Sequence, residues 1–320
     1  MMDCYVSLGA NLGARERALR QALEALHETP GVELARASSF YETAPWGKTD
    51  QPPFVNGTAK LRTSLEPLEL LEICQKIEAR LGRVRQEHWG ARTMDIDLLH
   101  IPGVASDSEK LRLPHPYLSA RAFVLVPLAE IAPELGIGGK TVEEYLRECP
   151  DEGQVERCPG SPMDFSLKLM ACVDCHGALG RKGKLLFRLK RDMAFFREKT
   201  LGGTVIMGRR TMESLSGPLE GRRNLVLSHG EHTREGFSFC HSLEELWQGL
   251  SVSEANYVIG GGEVYGRLLP YCREAFITRV EADGAGDVFL PEPDGFRLDS
   301  CRHERDEASG YGMSFCHYIR

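Results

Sequence analysis

Several features that define other protein classes are missing from this sequence of 320 residues. No run of about 18 apolar residues occurs, which excludes a membrane-spanning helix. The first residues lack a basic stretch followed by a long apolar one, so we expect no signal peptide. The net charge of −7 disfavours general nucleic-acid binding. We therefore expect a soluble cytoplasmic protein with neither nucleic acid nor membrane as a partner.

Signatures of zinc binding and of the common nucleotide-binding loop are also absent. The ten cysteines are scattered, and only Cys172 and Cys175 form a C-x-x-C pair, without the second pair that a zinc site needs. We interpret the cysteines as reduced structural residues instead of redox centres or metal ligands. No Gly-x-x-x-x-Gly-Lys-Ser/Thr loop is present, so side-chain cations and metal ions must hold any nucleotide phosphates.

The most informative segment present is the run from Gly90 to Leu99, where apolar residues alternate with Asp95 and Asp97. A strand repeats every two residues, so both carboxylates leave the same face. Neighbouring carboxylates repel each other unless a cation lies between them, and Mg²⁺ binds carboxylates together with phosphates. The run indicates either a magnesium–nucleotide site or an exposed strand face with solvated charges. The arginines available for phosphates are Arg83, Arg85, Arg92, Arg112 and Arg121.

Hydrophobic periodicity predicts an α+β sandwich in the first half of the chain. The predicted strands are 3–8, 33–43, 54–63 and the segment with the two Asp residues. The predicted helices are 19–26, 67–82 and 141–148. Clustered Pro, Gly and Ser over 149–163 indicate a domain boundary.

The second half shows a different pattern. A strand is predicted to begin at Phe165, and short apolar runs follow at 205–207, 225–227 and 257–259. Helices predicted at 190–199 and 242–250 alternate with these runs. The pattern is typical of a mostly parallel sheet with helices on both faces.

Residues 3–158 resemble the 6-hydroxymethyl-7,8-dihydropterin pyrophosphokinases of the folate pathway. The matching stretches are residues 7–13, 38–43, 50–56, 82–85, 89–97 and 114–115, with Arg121 and Phe123. The resemblance implies a ferredoxin-like α+β sandwich that transfers pyrophosphate from ATP to the hydroxymethyl group of the pterin. It also implies two Mg²⁺ ions on Asp95 and Asp97.

The same resemblance implies a role for each matching residue. Arg83 and Arg92 would be catalytic with the two Asp residues, on a loop over 82–92 that closes over the substrates. The nucleotide would contact Gln75, Glu78, Arg85, Trp89, Arg92, Arg112, His115, Tyr117 and Arg121. The pterin would contact Thr43, Ala44, Trp46, Phe54, Asn56 and Phe123. Taken singly, Phe54 and Phe123 are better interpreted as ordinary core residues.

Residues 163–320 resemble the dihydrofolate reductases. The matching stretches are residues 171–174, 177–180, 191–196, 205–211, 218–224 and 258–265, with Thr278 and Tyr318. The resemblance implies a mixed sheet of that family's type and reduction of dihydrofolate by NADPH. Asp192 would be catalytic: it would hold the pterin and favour protonation at N5 while hydride reaches C6. The alternative is a helix-surface Asp between Arg191 and Arg197.

The reductase resemblance also implies two sets of binding residues. Arg209 would meet the 2′-phosphate of NADPH, Arg222 would grip the glutamate carboxylate of folate, and a cis peptide is expected between Gly260 and Gly261. The folate set is Met170, Ala171, Asp192, Phe196, Leu215, Arg222, Ile259 and Thr278. The cofactor set is Ala171, Gly180, Gly208, Arg209, Arg210, Thr211, Ser228, Gly260, Gly261, Gly262, Glu263, Val264 and Tyr265.

One loop departs from the reductase pattern. Leu186 and Phe187 stand where the family usually has Pro-Trp, and Lys190 replaces a later Pro. Phenylalanine lacks the indole N–H that would fix a water near the substrate, so we expect an altered rate or inhibitor response.

We therefore expect a bifunctional folate enzyme with domains at 1–158 and 163–320, joined by a linker at 159–162. A first alternative keeps the kinase but makes the second domain a folate- and NADPH-binding module with weak or no turnover. A second alternative is a reductase of another pterin or a riboflavin precursor; Arg222 argues against it, because those substrates lack the glutamate tail. The two reactions are not consecutive steps, so we expect the fusion to fix stoichiometry or to dock other folate-pathway enzymes.

Overall fold

The computed structural model describes residues 1–45, 50–83, 91–151 and 154–320. These residues divide into two compact units, Met1–Asp164 and Phe165–Arg320. The segment expected to be a linker interacts with the first unit, where the Asp164 carboxylate accepts hydrogen bonds of 2.9 Å from the backbone N–H groups of Gly160 and Ser161. None of the helices in the described part of the chain is long and apolar enough to cross a membrane.

The first unit is built on an antiparallel sheet. Its strands are β1 (Met2–Ala10), β2 (Val32–Ala37), β3 (Phe40–Thr43), β4 (Phe54–Thr63), β5 (Asp95–His100), β6 (Ser106–Asp107), β7 (Arg112–Leu113), β8 (Gly136–Ile137), β9 (Lys140–Thr141) and β10 (Val155–Cys158). Its α-helices are α1 (Arg15–His27), α2 (Pro67–Arg80), α3 (Ala122–Ile131) and α4 (Val142–Glu148), and Leu118–Ala120 forms a 3-10 helix. The order of the main sheet is β10-β3-β4-β1-β5, and β2 also pairs with β4.

Local sequence signals account for most of these elements. The strand predicted at 54–63 is β4, and α2 begins at Pro67 as expected, with a capping box between Glu66 and Glu69. The prediction of one strand over 33–43 is wrong. At the break the Ser38 N–H still bonds to the Thr58 carbonyl, but side chains take the other bonds. Ser38 Oγ accepts from the Thr58 N–H at 2.9 Å, and Glu130 accepts from the Ser39 N–H at 2.7 Å.

The second unit contains a mixed sheet that is mostly parallel. Its strands are β11 (Leu167–Val173), β12 (Ala178–Arg181), β13 (Lys184–Leu185), β14 (Thr204–Gly208), β15 (Arg223–Leu227), β16 (Ser238–Cys240), β17 (Asn256–Gly260), β18 (Cys272–Val280), β19 (Val288–Phe289), β20 (Arg297–Arg305) and β21 (Gly312–Ile319). Its α-helices are α5 (Lys190–Thr200), α6 (Arg209–Ser214), α7 (Leu243–Gly249) and α8 (Gly262–Leu268), with a 3-10 helix at Leu269–Tyr271. The sheet order is β16-β15-β14-β17-β11-β18-β21-β20.

In this sheet the strands from β16 to β18 are parallel neighbours, and β21 and β20 are antiparallel. The predicted start of the first strand at Phe165 is wrong. Pro162–Phe165 is a 3-10 helix, and Ser166 has a φ of 47°, which an extended strand cannot contain. The ring of Phe165 instead stacks on Trp247, with a centroid distance of 5.7 Å.

Candidate active sites

The two acids of the first unit lie on the edge strand β5. Asp95 pairs with Gly9 and Asp97 pairs with Ser7 on β1, while the intervening Ile96 is buried. Strand geometry therefore places both carboxylates on one face, as the alternation predicts.

Gly9 connects this acidic pair to a polar pair on the far side of β1. The backbone of Gly9 pairs with Asp95 on one side and with Asn56 on the other. The Asn56 side chain donates a hydrogen bond of 2.8 Å to the hydroxyl of Thr43, and both residues are buried. A Cβ atom at position 9 would lie 2.9 Å from Asn56 Oδ1, so glycine keeps this part of the face open.

Two arginines neutralise Asp95. Arg83 Nη1 lies 2.5 Å from Asp95 Oδ1, and Arg92 forms an ion pair with the other carboxylate oxygen. Arg83 also pairs with Glu78, a buried residue of α2 that accepts a 2.7 Å hydrogen bond from the Ile96 N–H. The chain therefore fixes both guanidinium groups at the carboxylate before any substrate is bound.

The second acid has an unusual proton affinity. Burial, reinforced by the neighbouring negative charge of Asp95, raises the pKa of Asp97 to about 7, although Arg121 and Arg92 oppose the rise. An additional cation beside the pair would favour the ionised form of Asp97.

Near the N-terminus of α3, the cation of Arg121 lies close to two aromatic rings. The guanidinium of Arg121 lies 4.9 Å from the ring centroid of Tyr117 and 5.5 Å from that of Phe123. Burial lowers the pKa of His115 to about 4, and the charge of Arg121 contributes, so this imidazole is neutral at physiological pH. Phe123 also packs against the α3 core, which agrees in part with its interpretation as a core residue.

Some of the other predicted residues are exposed to solvent, and some lie outside the residues that the structure describes. Gln75 and Ala44 are exposed, and Phe54 is half-buried. Arg112 is exposed and pairs with Asp107 at 3.2 Å. The predicted positions that lie outside the described residues are Trp46, Arg85, Trp89 and most of the loop over 82–92.

The second unit contains a cavity of about 710 Å³ at the carboxyl ends of its parallel strands, where open α/β sheets generally bind ligands. Every residue predicted to bind the cofactor lines this cavity. So do most of the predicted folate residues, namely Met170, Ala171, Asp192, Phe196, Leu215 and Ile259. The structure therefore brings the two predicted sets together in one space.

Glycines at positions 208 and 260–262 form one end of the cavity. The Gly260–Gly261 peptide is cis, as the resemblance predicts. A Cβ atom on Gly261 would lie 3.5 Å from the hydroxyl oxygen of Thr211, and one on Gly208 would lie 3.1 Å from Val264. The Tyr265 hydroxyl donates a 2.7 Å hydrogen bond to the Met170 carbonyl, which ties α8 to β11. A side chain at position 208 would therefore crowd Val264, whereas one at position 261 would begin with an ordinary contact to Thr211.

Asp192 points into this cavity from α5. Burial raises the pKa of its carboxyl group, and hydrogen bonding from Thr278 and Cys172 partly offsets the rise. The neighbouring Arg191 instead pairs with Glu304 at 2.7 Å. The alternative of a solvated Asp on the helix surface is therefore wrong, because Asp192 lines the cavity.

Two predicted folate residues lie behind the lining of the cavity. Thr278 is buried beneath Asp192. Arg222 donates hydrogen bonds to the Thr200 hydroxyl at 3.1 Å and to the Glu220 carbonyl at 3.2 Å. Its guanidinium lies 5.7 Å from the ring centroid of Phe196, which does line the cavity. Arg222 is therefore close to the cavity without forming its wall.

Comparison with known proteins separates the two halves of the chain in the same way. Residues 5–133 match the family model of 7,8-dihydro-6-hydroxymethylpterin-pyrophosphokinase, and residues 166–320 match that of dihydrofolate reductase. A Methylorubrum extorquens protein named 2-amino-4-hydroxy-6-hydroxymethyldihydropteridine pyrophosphokinase is 48% identical over 157 residues, which are 49% of this chain and 99% of that protein. The chain belongs to the 7,8-dihydro-6-hydroxymethylpterin-pyrophosphokinase family.

Two further relatives also match the pyrophosphokinase half of the chain. The protein of that name from Pseudomonas aeruginosa is 45% identical over 158 residues, covering 49% of this chain and 97% of the relative. The one from Bacillus subtilis is 47% identical over 131 residues, covering 41% and 78%. With the reductase match beyond residue 165, the chain is a fusion of the two families and a bifunctional folate-pathway enzyme.

Several residues that line the cavity of the reductase domain were not predicted as site residues from the sequence. They are the apolar Leu179, Met193 and Leu219, the polar Lys184, Ser214 and Arg267, and the pair His229 and His232. Leu186 and Phe187 also line the cavity, and Phe187 packs edge-on against Tyr311 at 5.6 Å. Cys172, interpreted as purely structural, is a further lining residue. The position of Cys172 within a matching stretch was the only sequence signal for it.

Proposed function

We propose that the pyrophosphokinase domain transfers pyrophosphate from ATP to 6-hydroxymethyl-7,8-dihydropterin, with Mg²⁺ held by Asp95 and Asp97. The observation that carries this proposal is the juxtaposition across Gly9 of the acidic pair and the buried Asn56–Thr43 pair. An anionic centre and a neutral polar centre therefore lie two strands apart on one sheet face.

The donor set suits Mg²⁺. This ion usually takes one or two carboxylates and completes its shell with water and substrate phosphates. Among the described residues there is no cluster of three or more His, Cys, Asp or Glu that could hold a metal without such help. A bound cation would oppose the burial that raises the pKa of Asp97. When bound, Mg²⁺ would neutralise phosphate charge during the in-line displacement.

The protein side chains supply the remaining charge and the positioning. Arg83 and Arg92 lie at Asp95, where their guanidinium groups can bind phosphate oxygens bidentately. The Asn56 amide can pair with the donor and acceptor edge of the pterin, and Phe54 and Phe123 offer ring faces. Such positioning and electrostatic stabilisation supply most of the rate in phosphoryl transfer.

The test is AMP formation from ATP by the full chain, with 6-hydroxymethyl-7,8-dihydropterin as acceptor. We expect equimolar AMP and pterin diphosphate, dependent on Mg²⁺ and abolished by EDTA. Formation of ADP, or AMP formation that does not require the pterin, would contradict the proposal.

We further infer that the reductase domain reduces 7,8-dihydrofolate to tetrahydrofolate with NADPH. The observation that carries this inference is a single cavity lined both by Asp192 and by the Gly260–Gly262 turn. Gly208 and the Gly260–Gly262 turn also line this cavity, and the absence of side chains there suits a cofactor that approaches the backbone. NADPH, when bound, would supply the hydride, while Asp192 would accept hydrogen bonds from ring N3 and the 2-amino group of the pterin.

A second candidate function for this domain is binding of folate and NADPH with little turnover. Phe187 favours it, because the ring lines the cavity but has no donor, and its edge contact is with Tyr311. Single-turnover mixing of the full chain with NADPH and dihydrofolate distinguishes the two. We expect NADPH absorbance to decay with dihydrofolate and more slowly with dihydropteroate, which lacks the glutamate tail. Ligand binding without any decay would support the binding module, and equal decay with both would support another pterin substrate.

A further inference from the structure

Cys172 and Thr278 are direct neighbours beneath the acid of the reductase cavity. β11 and β18 are parallel, and their register pairs Cys172 with Thr278. Side chains at paired positions leave a sheet on the same side. Cys172 packs in the cluster that contains Leu189 and Phe195, so its side chain faces α5, the helix that carries Asp192. Cys172 also lines the cavity itself.

We propose that Cys172 is a positioning residue for Asp192: its thiol donates a hydrogen bond to the carboxylate and, together with the Thr278 hydroxyl, fixes the carboxylate that binds the pterin. The inference deepens the reductase function proposed above and rests on it for its catalytic meaning.

The charges around the acid agree with this role. Burial raises the pKa of Asp192, and hydrogen bonding from Thr278 and Cys172 lowers it. Burial also raises the pKa of the Cys172 thiol, and the Asp192 charge raises it further, so the thiol keeps its proton and remains a donor. A further titratable group that interacts with both is Tyr265 on α8, whose hydroxyl already donates to the Met170 carbonyl. On α5 itself, Arg191 pairs with Glu304, and Arg197 is exposed.

The second cysteine of the C-x-x-C pair provides a matched control. Cys175 is exposed in the turn that follows β11, and its backbone N–H donates to the Ala282 carbonyl at 3.1 Å. It does not line the described cavity. A valine at either position keeps the approximate side-chain volume and removes the S–H group, so packing effects and donor effects can be separated.

The experiment measures the Asp192 pKa in the ligand-free full chain by carboxyl ¹³C NMR, with the signal assigned by its loss in Asp192→Asn. We expect Cys172→Val to raise this pKa by about half a pH unit, as loss of one weak donor predicts. Cys172→Ser restores an O–H donor and should return the pKa to the wild-type value or below. Cys175→Val should leave it unchanged. The alkaline limb of the pH profile of dihydrofolate reduction should move in the same direction in each variant.

Two results would overturn the inference. If Cys172→Val, or Cys172→Ala where valine fails to fold, leaves the Asp192 pKa unchanged, then the thiol makes no contribution. If the serine and valine variants shift the pKa equally, then packing explains the effect. A third result separates the contact from the reductase function. If the NMR shifts are as expected but no protein, wild type included, oxidises NADPH, the contact between Cys172 and Asp192 is supported and the proposed reductase function is refuted.

Discussion

The two domains place Asp95 and Asp192 in different electrostatic surroundings. In the pyrophosphokinase domain, Asp95 carries ion pairs to Arg83 and Arg92. In the reductase domain, burial dominates at Asp192, and the groups that lower its pKa are a hydroxyl and a thiol. The first arrangement pairs the Asp95 carboxylate with fixed cations, whereas the second raises the affinity of the Asp192 carboxyl group for a proton.

This difference follows from what each proposed reaction must stabilise. Pyrophosphate transfer moves a highly charged group, so fixed cations at the site supply the main stabilisation. Reduction of a pterin requires a proton at a neutral ring, and a buried acid with a raised pKa suits an exchange of protons with that ring. The same residue type therefore serves two chemistries, because its neighbours differ.

The largest effect that tests this comparison is expected from removing a cation of the first site. Arg92→Gln should lower kcat for pyrophosphate transfer by roughly 10²–10³-fold, the typical loss for one stabilising donor. The fold should persist, because Arg83 still pairs with Asp95. The assay is AMP formation at saturating substrates, with Arg80→Gln on the exposed face of α2 as the control. A loss of only a few fold would show that the site does not depend on this charge.

The next largest effect is expected at Arg222, a cation of the reductase domain that lies close to the cavity. Arg222→Leu should raise KM for dihydrofolate about tenfold, the equivalent of one charge-assisted contact. The KM for dihydropteroate should not change, because it lacks the carboxylate. Arg223→Gln is the control, since Arg223 bonds to the Gly249 carbonyl elsewhere. Equal effects on both substrates would mean that Arg222 acts only through its contacts with Thr200 and Phe196.

A smaller effect is expected at the loop residue that departs from the reductase pattern. Phe187→Trp adds an N–H donor at the cavity wall and should raise the rate of reduction about threefold, as one modest hydrogen bond predicts. Phe289→Trp, at an exposed ring outside the lining, should have no effect. A decrease in rate with Phe187→Trp would show instead that the contact with Tyr311 is the functional one.

The smallest effect is expected on the thermal stability of the chain and comes from the Asp192 carboxyl group. Because burial raises the pKa of Asp192, the folded chain binds more protons than the unfolded chain between the ordinary Asp pKa of about 4 and the raised value. Stability therefore falls as pH rises through this window. Asp192→Asn should melt a few degrees higher than the wild type at neutral pH, with a difference that shrinks in acid. Glu198→Gln on the exposed side of α5 should show no such trend in the same thermal scans.

Local patterns predicted most of the elements, and the misses have physical causes. Alternation and caps identified β4, β5 and the start of α2, because those signals lie within the elements themselves. The break at Ser38 depends on Glu130 in a distant helix, which no local pattern contains. Spacing alone left the role of Asp95 open, and it did not connect Cys172 with Asp192, because pairing between β11 and β18 joins residues far apart in sequence.

The most direct test of the central claim measures both activities on the same preparations of wild type, Asp97→Asn and Asp192→Asn. We predict a crossed result: Asp97→Asn loses AMP formation and keeps NADPH oxidation with dihydrofolate, and Asp192→Asn does the reverse. Loss of both activities in either folded variant, or of neither, would contradict the assignment of one acid-centred site to each domain.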